Sequence, residues 1–368
     1  MAVIQALPLE LLRRILELLA TDRRPQKDLY NATLVARAWR HPSQSLLIYH
    51  MDLLDVTRST DALRLNAGCT LRLVNVDWRN AREILSALHE NDISVETLGM
   101  YATRHNDLDM STMSLKLLAG LKSLRLGGHF QGHPTISPDT KLELTKLTVH
   151  TDYLPSLAFF DSILPAAPFL TSLELYVGDD GELLPTEYTS PFRGIAHQLR
   201  HLTIYTGVSC HPTSRASLND TRFVASCTSL ESLELCNCGT DYIRDVASAV
   251  RAPLCVLETQ MASGWNDGGT GVAELASVLE LPAMAKFKRW RMCKRRLYGA
   301  SLDKEETAQW EAVCRARGVE PRDETRFFTG KTTLLSSYPI KTERWGLRPL
   351  SVTLARRRSS AAAEEDVD

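Results

Sequence analysis

The chain has 368 residues, of which 44% are hydrophobic, so it is long enough to bury a substantial core. Its 43 lysines and arginines are balanced by 44 aspartates and glutamates, which excludes a global field directed at nucleic acid or membrane surfaces. Eight cysteines at irregular spacing are not a disulfide framework in a chain of this size, so we expect free thiols. Neither a secretory leader nor a membrane-spanning run is predicted, so we expect a cytoplasmic and/or nuclear location.

Residues 1–50 are predicted to form a separate helical segment. A first helix begins near Leu7-Pro8, where the missing N–H of proline costs nothing, and it is apolar on more than one side. A second helical stretch runs from Asp28 to Trp39 and is closed by Pro42. So short a segment buries too little surface to be self-sufficient. It therefore either caps the following structure or also presents an apolar face to another protein, and the residues alone leave both open.

The dominant pattern of the chain is L-x-x-L-x-L, which is clearest at Leu121–Leu126 and recurs through residues 51–327. Clear and weaker copies together predict nine strands. Their middle apolar residues are Val74, Leu98, Leu124, Leu147, Leu173, Leu202, Leu233, Leu257 and Trp290. These residues follow one another at intervals of 23 to 33 positions, mostly close to the period of leucine-rich repeats, and the longer intervals predict surface insertions.

The segments between the strands change to helical spacing, for example at Ala81/Ile84/Leu85/Leu88 and at Ile243/Val246/Ala247/Val250. Each unit is predicted to be a strand, a turn and a helix, and its apolar faces are buried only when units stack. The predicted fold class is therefore α/β, a right-handed leucine-rich-repeat solenoid of about nine units with a parallel, concave sheet. A charged helix near 303–317 is expected to cap it, and residues 328–368 are predicted to be a disordered tail.

The side chains that flank the middle apolar residue of each strand point away from the core, so we expect them to form the binding surface. The charged and titratable members of this set are the candidate residues for binding a target protein: Arg125, Glu174, His201, Glu234, Glu258, Arg289 and Arg291. Glu174, Glu234 and Glu258 precede the basic segment with Arg289 and Arg291 along the chain, which predicts a face that grades from acidic to basic and orients a charged partner.

The segment 286–296 carries seven positive charges among eleven residues, together with Phe287 and Trp290. The favoured interpretation is a last strand whose core contacts are Phe287, Trp290 and Met292, with cations on its exposed sides. A basic docking patch for an acidic protein segment comes second, and nucleic-acid binding is the least favoured interpretation.

No other motif predicts a catalytic or cofactor site. Cys236 and Cys238 lie close to two further cysteines, but no C-x-x-C or H-x-x-x-H pair completes a zinc site, and Cys238 occupies the small buried turn position of the repeat. The histidines lack a nucleophile or an orienting carboxylate at recognisable spacing. We therefore expect a protein that is not an enzyme and that needs no metal and no cofactor.

The N-terminal residues resemble the F-box motif. The run Leu7-Pro8-x-Glu10-Leu11-Leu12-x-x-Ile15-Leu16 is similar to its opening, Asp28-Leu29 to its centre, and Leu34-Val35-Ala36-Arg37-Ala38-Trp39 to its close. Followed by a leucine-rich array, the chain resembles the F-box/leucine-rich-repeat proteins, particularly the divergent fungal kind. It departs from the motif in having Ala36 after the Leu-Val pair and an insert around residues 22–26.

The resemblance implies a three-helix F-box in residues 1–50 and a role as the substrate receptor of an SCF (Skp1–cullin–F-box) ubiquitin ligase. Its partners would be a Skp1-type adaptor, through it the cullin and RING subunits, and an unidentified target protein marked for ubiquitin-dependent catabolism. By position in the motif, the adaptor contacts would come from Leu7, Pro8, Leu11, Leu12, Ile15, Leu16, Leu29, Leu34, Val35 and Trp39. The alternative is a leucine-rich-repeat scaffold or inhibitor in which the N-terminal helices act only as a solenoid cap.

Overall fold

The computed structural model of the chain describes most of residues 70–322 and a few short stretches before them. The described residues are 11–12, 15–16, 31–32, 50–53, 60–61, 63–64, 67–68, 70–101, 108–128, 130–150, 156–177, 188–206, 215–261, 275–294 and 304–322. The fold is α/β, and its centre is an open sheet in which every neighbouring pair of strands is parallel.

Eleven strands of this sheet lie beside one another in chain order. They are β1 (His50–Leu53), β2 (Thr70–Asp77), β3 (Ser94–Tyr101), β5 (Ser123–Gly127), β7 (Lys146–His150), β8 (Ser172–Val177), β9 (His201–Thr206), β10 (Ser232–Cys238), β11 (Val256–Met261), β12 (Arg289–Lys294) and β13 (Glu320–Arg322). Two short strands, β4 (Leu108–Asp109) and β6 (Phe130–Gln131), pair with each other in a separate small sheet.

All nine predicted strands are confirmed, and their predicted alignment holds residue by residue. The register pairs Val74 with Leu98, Leu98 with Leu124, and so on along the sheet to Leu257 with Trp290. Because side chains alternate between the two faces of a strand, this register places the apolar residues in continuous core rows. Sequence prediction missed β1 and β13, which extend the sheet by one strand at each end.

Helices connect most of the strands. They are α1 (Ala81–Glu90), α2 (Leu115–Ala119), α3 (Leu157–Ile163), α4 (Arg215–Ser226), α5 (Thr240–Ala249) and α6 (Lys304–Ala316), with 3-10 helices at Ser190–Gln198, Ser277–Glu280 and Pro282–Lys286. Their buried residues join the apolar rows of the strands in one core that extends from Leu63 to Val319. Serine side chains cap two of the helices: Ser114 Oγ accepts from the N–H of Leu117 at 3.2 Å, and Ser156 Oγ accepts from the N–H of Phe159 at 3.3 Å.

The prediction of a helix in every unit is wrong in two places. Residues 130–145, all of which are described, form β6 and turns rather than a helix between β5 and β7. The connection before β9 is the 3-10 helix Ser190–Gln198, whose sequence contains Pro191 and Gly194. Proline and glycine both weaken the α-helical ladder, so the shorter connection is the local consequence of composition.

The predicted final helix is α6. It ends at Ala316, and Gly318, which follows it closely, has a φ of +67°. That left-handed conformation is the usual glycine stop of a helix. Trp310 and Cys314 of α6 are buried in the core, and the chain then adds β13 beside β12. The sheet therefore continues past the helix that was expected to close it. The predicted tail, 328–368, lies outside the described residues.

Candidate functional site: the polar face of the sheet

The strand residues that alternate with the core rows form what we call the polar face, which consists of three rows. Its first row is Ser123, Lys146, Ser172, His201, Ser232, Val256 and Arg289. Its middle row is Asn75, Gly99, Arg125, Thr148, Glu174, Thr203, Glu234, Glu258 and Arg291. Its third row contains His150, Tyr176, Tyr205, Cys236 and Gln260.

Cross-strand ion pairs neutralise most of the charge on this face. Lys146 Nζ lies 2.5 Å from Glu174 Oε1 on the next strand. Arg291 Nη1 lies 2.9 Å from Glu258 Oε2, and Arg289 Nε lies 3.0 Å from Glu320 Oε2. Each of these three glutamates has a cation beside it, so their charges are compensated locally and add little to the predicted gradient from acidic to basic.

Glu174 was predicted to be exposed, and this prediction is wrong. Only 5% of the residue is accessible, and Thr148 beside it is equally buried. The hydroxyl of Thr148 donates to Glu174 Oε2 at 2.8 Å, while Lys146 pairs with the other carboxylate oxygen. A buried carboxylate must be paired and hydrogen-bonded, so these contacts draw the side chain into the face.

Glu234 differs from its acidic neighbours because no cation pairs with it among the described residues. Its carboxylate accepts from the Thr203 hydroxyl at 3.2 Å and from the Cys236 thiol at 3.3 Å. Burial, together with the nearby carboxylates of Glu258 and Glu174, raises the pKa of Glu234 to about 7. The middle row therefore holds one carboxylate whose charge no cation compensates among the residues that the structure describes.

Arg125 is the corresponding cation. It lies in the middle row on β5, next to Gly99 of β3 and Thr148 of β7. Its Nε atom is buried without a hydrogen-bond partner, and no carboxylate pairs with Arg125 in the described part of the chain. The half-buried Arg125 is therefore a cation without a carboxylate partner in the described part of the chain, and the accessible part of its guanidinium can receive an external acceptor.

An aromatic stack forms the third row. The rings of His150 and Tyr176 lie 4.4 Å apart, and those of Tyr176 and Tyr205 lie 4.9 Å apart, with interplanar angles of 7° and 13°. The Tyr205 hydroxyl donates to Gln260 Oε1 at 3.2 Å. Both residues neighbour Cys236 from opposite sides in the register, so their hydrogen bond spans β10. Burial lowers the pKa of His150 to about 4.

This row could not be predicted from the two residues that flank each middle apolar residue, because it lies one step further along each strand. The period of two that places Glu174 on the polar face also places Tyr176 there, and Tyr205 follows Thr203 by the same rule. Extending the alternation by one step would have found all three rings. Of the other candidate residues, His201 and Arg289 are exposed, and Glu258 and Arg291 are half-buried.

The basic segment agrees with its favoured interpretation over the part that is described. Phe287, Trp290 and Met292 belong to the core. Arg289 and Arg291 pair with glutamates of neighbouring strands, and Lys286 and Lys288 are exposed. Of the three remaining cations, Lys294 is the last residue of β12, and Arg295 and Arg296 lie outside the described residues.

The cysteines of β10 are buried structural residues. Cys236 and Cys238 are each about 2% exposed or less, and the Cys238 thiol donates to the carbonyl oxygen of Cys236 at 3.2 Å. Within the described ranges, no group of histidine, cysteine, aspartate and glutamate side chains is arranged to hold a metal ion. In the same residues, no helix combines the length and apolar character that crossing a membrane requires.

A second buried polar cluster lies on the helical side of the sheet. Asp220 of α4 is fully buried and accepts hydrogen bonds from the hydroxyls of Tyr188 and, at 2.5 Å, Tyr242. Burial raises the pKa of Asp220 to about 7, although the two tyrosine hydrogen bonds act in the opposite direction. This cluster links three connections of the sheet: the one before β9, the one between β9 and β10, and the one after β10.

Four of the residues that the F-box resemblance assigns to adaptor binding are described. Leu11, Leu12, Ile15 and Leu16 are helical. Leu12 and Leu16 are buried, whereas 54% of Leu11 and 37% of Ile15 are exposed. The other six, Leu7, Pro8, Leu29, Leu34, Val35 and Trp39, lie outside the described residues.

Comparison with known proteins gives no family assignment. Neither a scan against protein-family models nor a search of curated proteins finds a match to this chain.

Proposed function

We propose that this chain is the substrate-recognition subunit of an SCF ubiquitin ligase. In this proposal, residues 1–50 form a three-helix F-box that binds a Skp1-type adaptor. The following residues form a right-handed leucine-rich-repeat solenoid of about nine strand–helix units, and the polar face is its concave surface, which holds the target protein. The chain itself contributes no catalytic group.

The exposure of the first helix is the observation that carries the proposal. Residues four apart lie on the same side of a helix, so Leu11 and Ile15 form one apolar pair, and Leu12 and Leu16 form another. One pair is buried and the other is substantially exposed. An apolar pair left exposed on a helix whose adjacent side is packed is typical of a helix that docks onto a partner.

The packing of the same helix favours a docking module over a simple cap. Leu12 and Leu16 are fully or almost fully buried, yet among the described residues they are not joined to the continuous core that extends from Leu63 to Val319. A cap that served only to close the solenoid would bury its apolar side in that core.

The sheet supports the second half of the proposal. Its eleven parallel strands lie in chain order, so at a spacing of about 4.8 Å they present a face about 48 Å across. Such an extended face suits a bound protein segment better than a small molecule. Holding a target near a ubiquitin-charged enzyme accelerates transfer by raising the effective concentration, which requires no acid, base or nucleophile on the receptor.

The test is co-purification of the full chain with a recombinant Skp1-type adaptor, compared with a chain that lacks residues 1–45. The proposal predicts that the full chain retains the adaptor, and that the shortened chain does not, while its repeats keep their thermal unfolding transition. The alternative, a scaffold or inhibitor with a helical cap, predicts no adaptor binding by the full chain and a loss of the early repeats on deletion.

A further inference from the structure

The middle row of the polar face has two charges that remain without an ion-pair partner among the described residues, Arg125 and Glu234. Between them, Thr148 and Glu174 are buried and satisfy each other together with Lys146. Beyond Glu234, Glu258 is paired with Arg291. The two unpaired charges have opposite signs, and the row between them offers no further free charge.

The spacing of these two residues is set by the strand order. Arg125 is on β5 and Glu234 is on β10, which are four strand intervals apart in the order β5, β7, β8, β9, β10. At about 4.8 Å per interval, the two positions are separated by about 19 Å. An extended polypeptide advances about 3.3 Å per residue, so about six residues of a partner would span this distance.

We propose that the polar face binds an extended segment of a partner protein that runs across the strands and carries an acidic side chain over Arg125 and a basic side chain over Glu234, about six residues apart. The residues of the partner segment that lie between its acidic and its basic side chain are uncharged. This inference rests on the proposed function only in taking the partner to be the target protein.

Each end of the site is built for the charge assigned to it. At one end, no carboxylate among the described residues pairs with the half-buried Arg125, and a carboxylate of the partner would form a charge-assisted hydrogen bond with the accessible part of its guanidinium. At the other end, the half-buried Glu234 carboxylate accepts from Thr203 and Cys236, with two further glutamates nearby and no cation paired with it among the described residues. A lysine or arginine of the partner would supply the missing cation.

The experiment is a selection of random displayed peptides on the full chain, immobilised without the adaptor, in parallel with Arg125→Glu and Glu234→Arg variants. On the wild-type chain, peptides with one acidic and one basic residue about six positions apart should be enriched about tenfold over their frequency in the library. The Arg125→Glu variant should instead select two basic residues at that spacing, and Glu234→Arg should select two acidic residues. These expectations hold for either direction of the bound peptide.

Folding of the variants is checked by thermal unfolding. If a charge-reversed variant does not fold, Arg125→Gln or Glu234→Gln replaces it, and the selected peptides should then lose only the acidic or only the basic requirement. Identical sequences from all chains, or no enrichment on the wild type, would overturn the proposal. A chain that lacks residues 328–368 is included in the selection. If peptides are enriched only on this shortened chain, the proposal is also overturned, and the chain's own basic run at Arg356–Arg358 becomes the occupant of the polar face.

Adaptor binding by the same proteins separates this inference from the proposed function. Both charge variants should retain the Skp1-type adaptor as the wild type does, because the substitutions lie outside residues 1–50. Peptide selection as described without adaptor binding would reject the ligase role alone, and adaptor binding without charge-dependent selection would reject the docking site alone.

Discussion

Trp290 on β12 donates its indole N–H to the hydroxyl oxygen of Thr259 on β11 at 3.0 Å, and the Thr259 hydroxyl in turn donates to the carbonyl oxygen of Arg291 at 3.5 Å. Both side chains are fully buried. Thr259 occupies a core position that holds Leu235 on the preceding strand and Met292 on the following one. The polar residue at this position is thus explained by its neighbour, because a buried indole N–H requires an acceptor.

Replacement of Thr259 by valine tests this relationship. The substitution keeps the shape of the side chain but leaves the indole N–H of Trp290 buried without a partner, so we expect the free energy of unfolding to fall by about 1–3 kcal/mol. Thr97→Val, at a half-buried position of β3, should change it by less than about 0.5 kcal/mol. Urea denaturation of both variants makes the comparison, and equal effects would show that the Trp290 hydrogen bond does not stabilise the fold.

Removing one partner of the ion pair between Lys146 and Glu174 should destabilise the fold. In the Lys146→Met variant the Glu174 side chain, only 6% exposed, would remain buried without its cation, so we expect a loss of about 2–4 kcal/mol. Lys122→Met breaks a pair with Glu96 in which the two side chains are 55% and 35% exposed, and it should cost less than about 1 kcal/mol. A similar unfolding midpoint for the two variants would contradict this assignment.

The stability of the chain should depend on pH through Asp220. Its folded-state pKa is raised by burial from 3.8 to about 7, so its stabilising contribution is complete below pH 3.8 and is lost as the pH rises through about 7. Glu234, raised from 4.5 to about 7, acts in the same direction. We therefore expect these two groups to lower the free energy of unfolding between about pH 5 and pH 7.

The Asp220→Asn variant isolates the contribution of Asp220 to this pH dependence, because an amide has no proton to lose in this pH range. Its decline in stability between about pH 5 and pH 7 should be shallower than that of the wild type by up to about 1.4 kcal/mol per pH unit. Asp161→Asn, at an exposed position of α3, provides the control and should run parallel to the wild type. Parallel curves for Asp220→Asn would mean that the Asp220 carboxyl does not titrate on unfolding.

The core of the fold could be predicted because its signal is repeated. Leucine, isoleucine and valine at fixed positions determine both which residues are strands and how neighbouring strands align, and the register from Val74 to Trp290 follows that pattern throughout. The terminal strand β13 carries no such pattern. It consists of Glu320-Pro321-Arg322, and proline is tolerated there because an edge strand need not donate along its free side.

For the polar face, the sequence could predict only which residues lie on it. The sequence shows which charged residues lie on it, but the partners of those charges depend on contacts between side chains on adjacent strands. The pairing of Glu258 with Arg291, and the absence of such a pairing for Glu234 among the described residues, are properties of the folded sheet. Likewise, the aromatic row arises only when His150, Tyr176 and Tyr205 are stacked by the register.

We propose that the exposed apolar pair of the first helix, Leu11 and Ile15, binds a Skp1-type adaptor. Isothermal titration of that adaptor into the chain tests this proposal most directly. The wild-type chain and a Leu157→Glu control, changed at an apolar residue that is 65% exposed on α3, should bind equally well. Leu11→Glu/Ile15→Glu should weaken binding by at least about tenfold while leaving the unfolding transition unchanged. An adaptor that does not bind the wild-type chain, or that binds the double variant with unchanged affinity, would contradict the account.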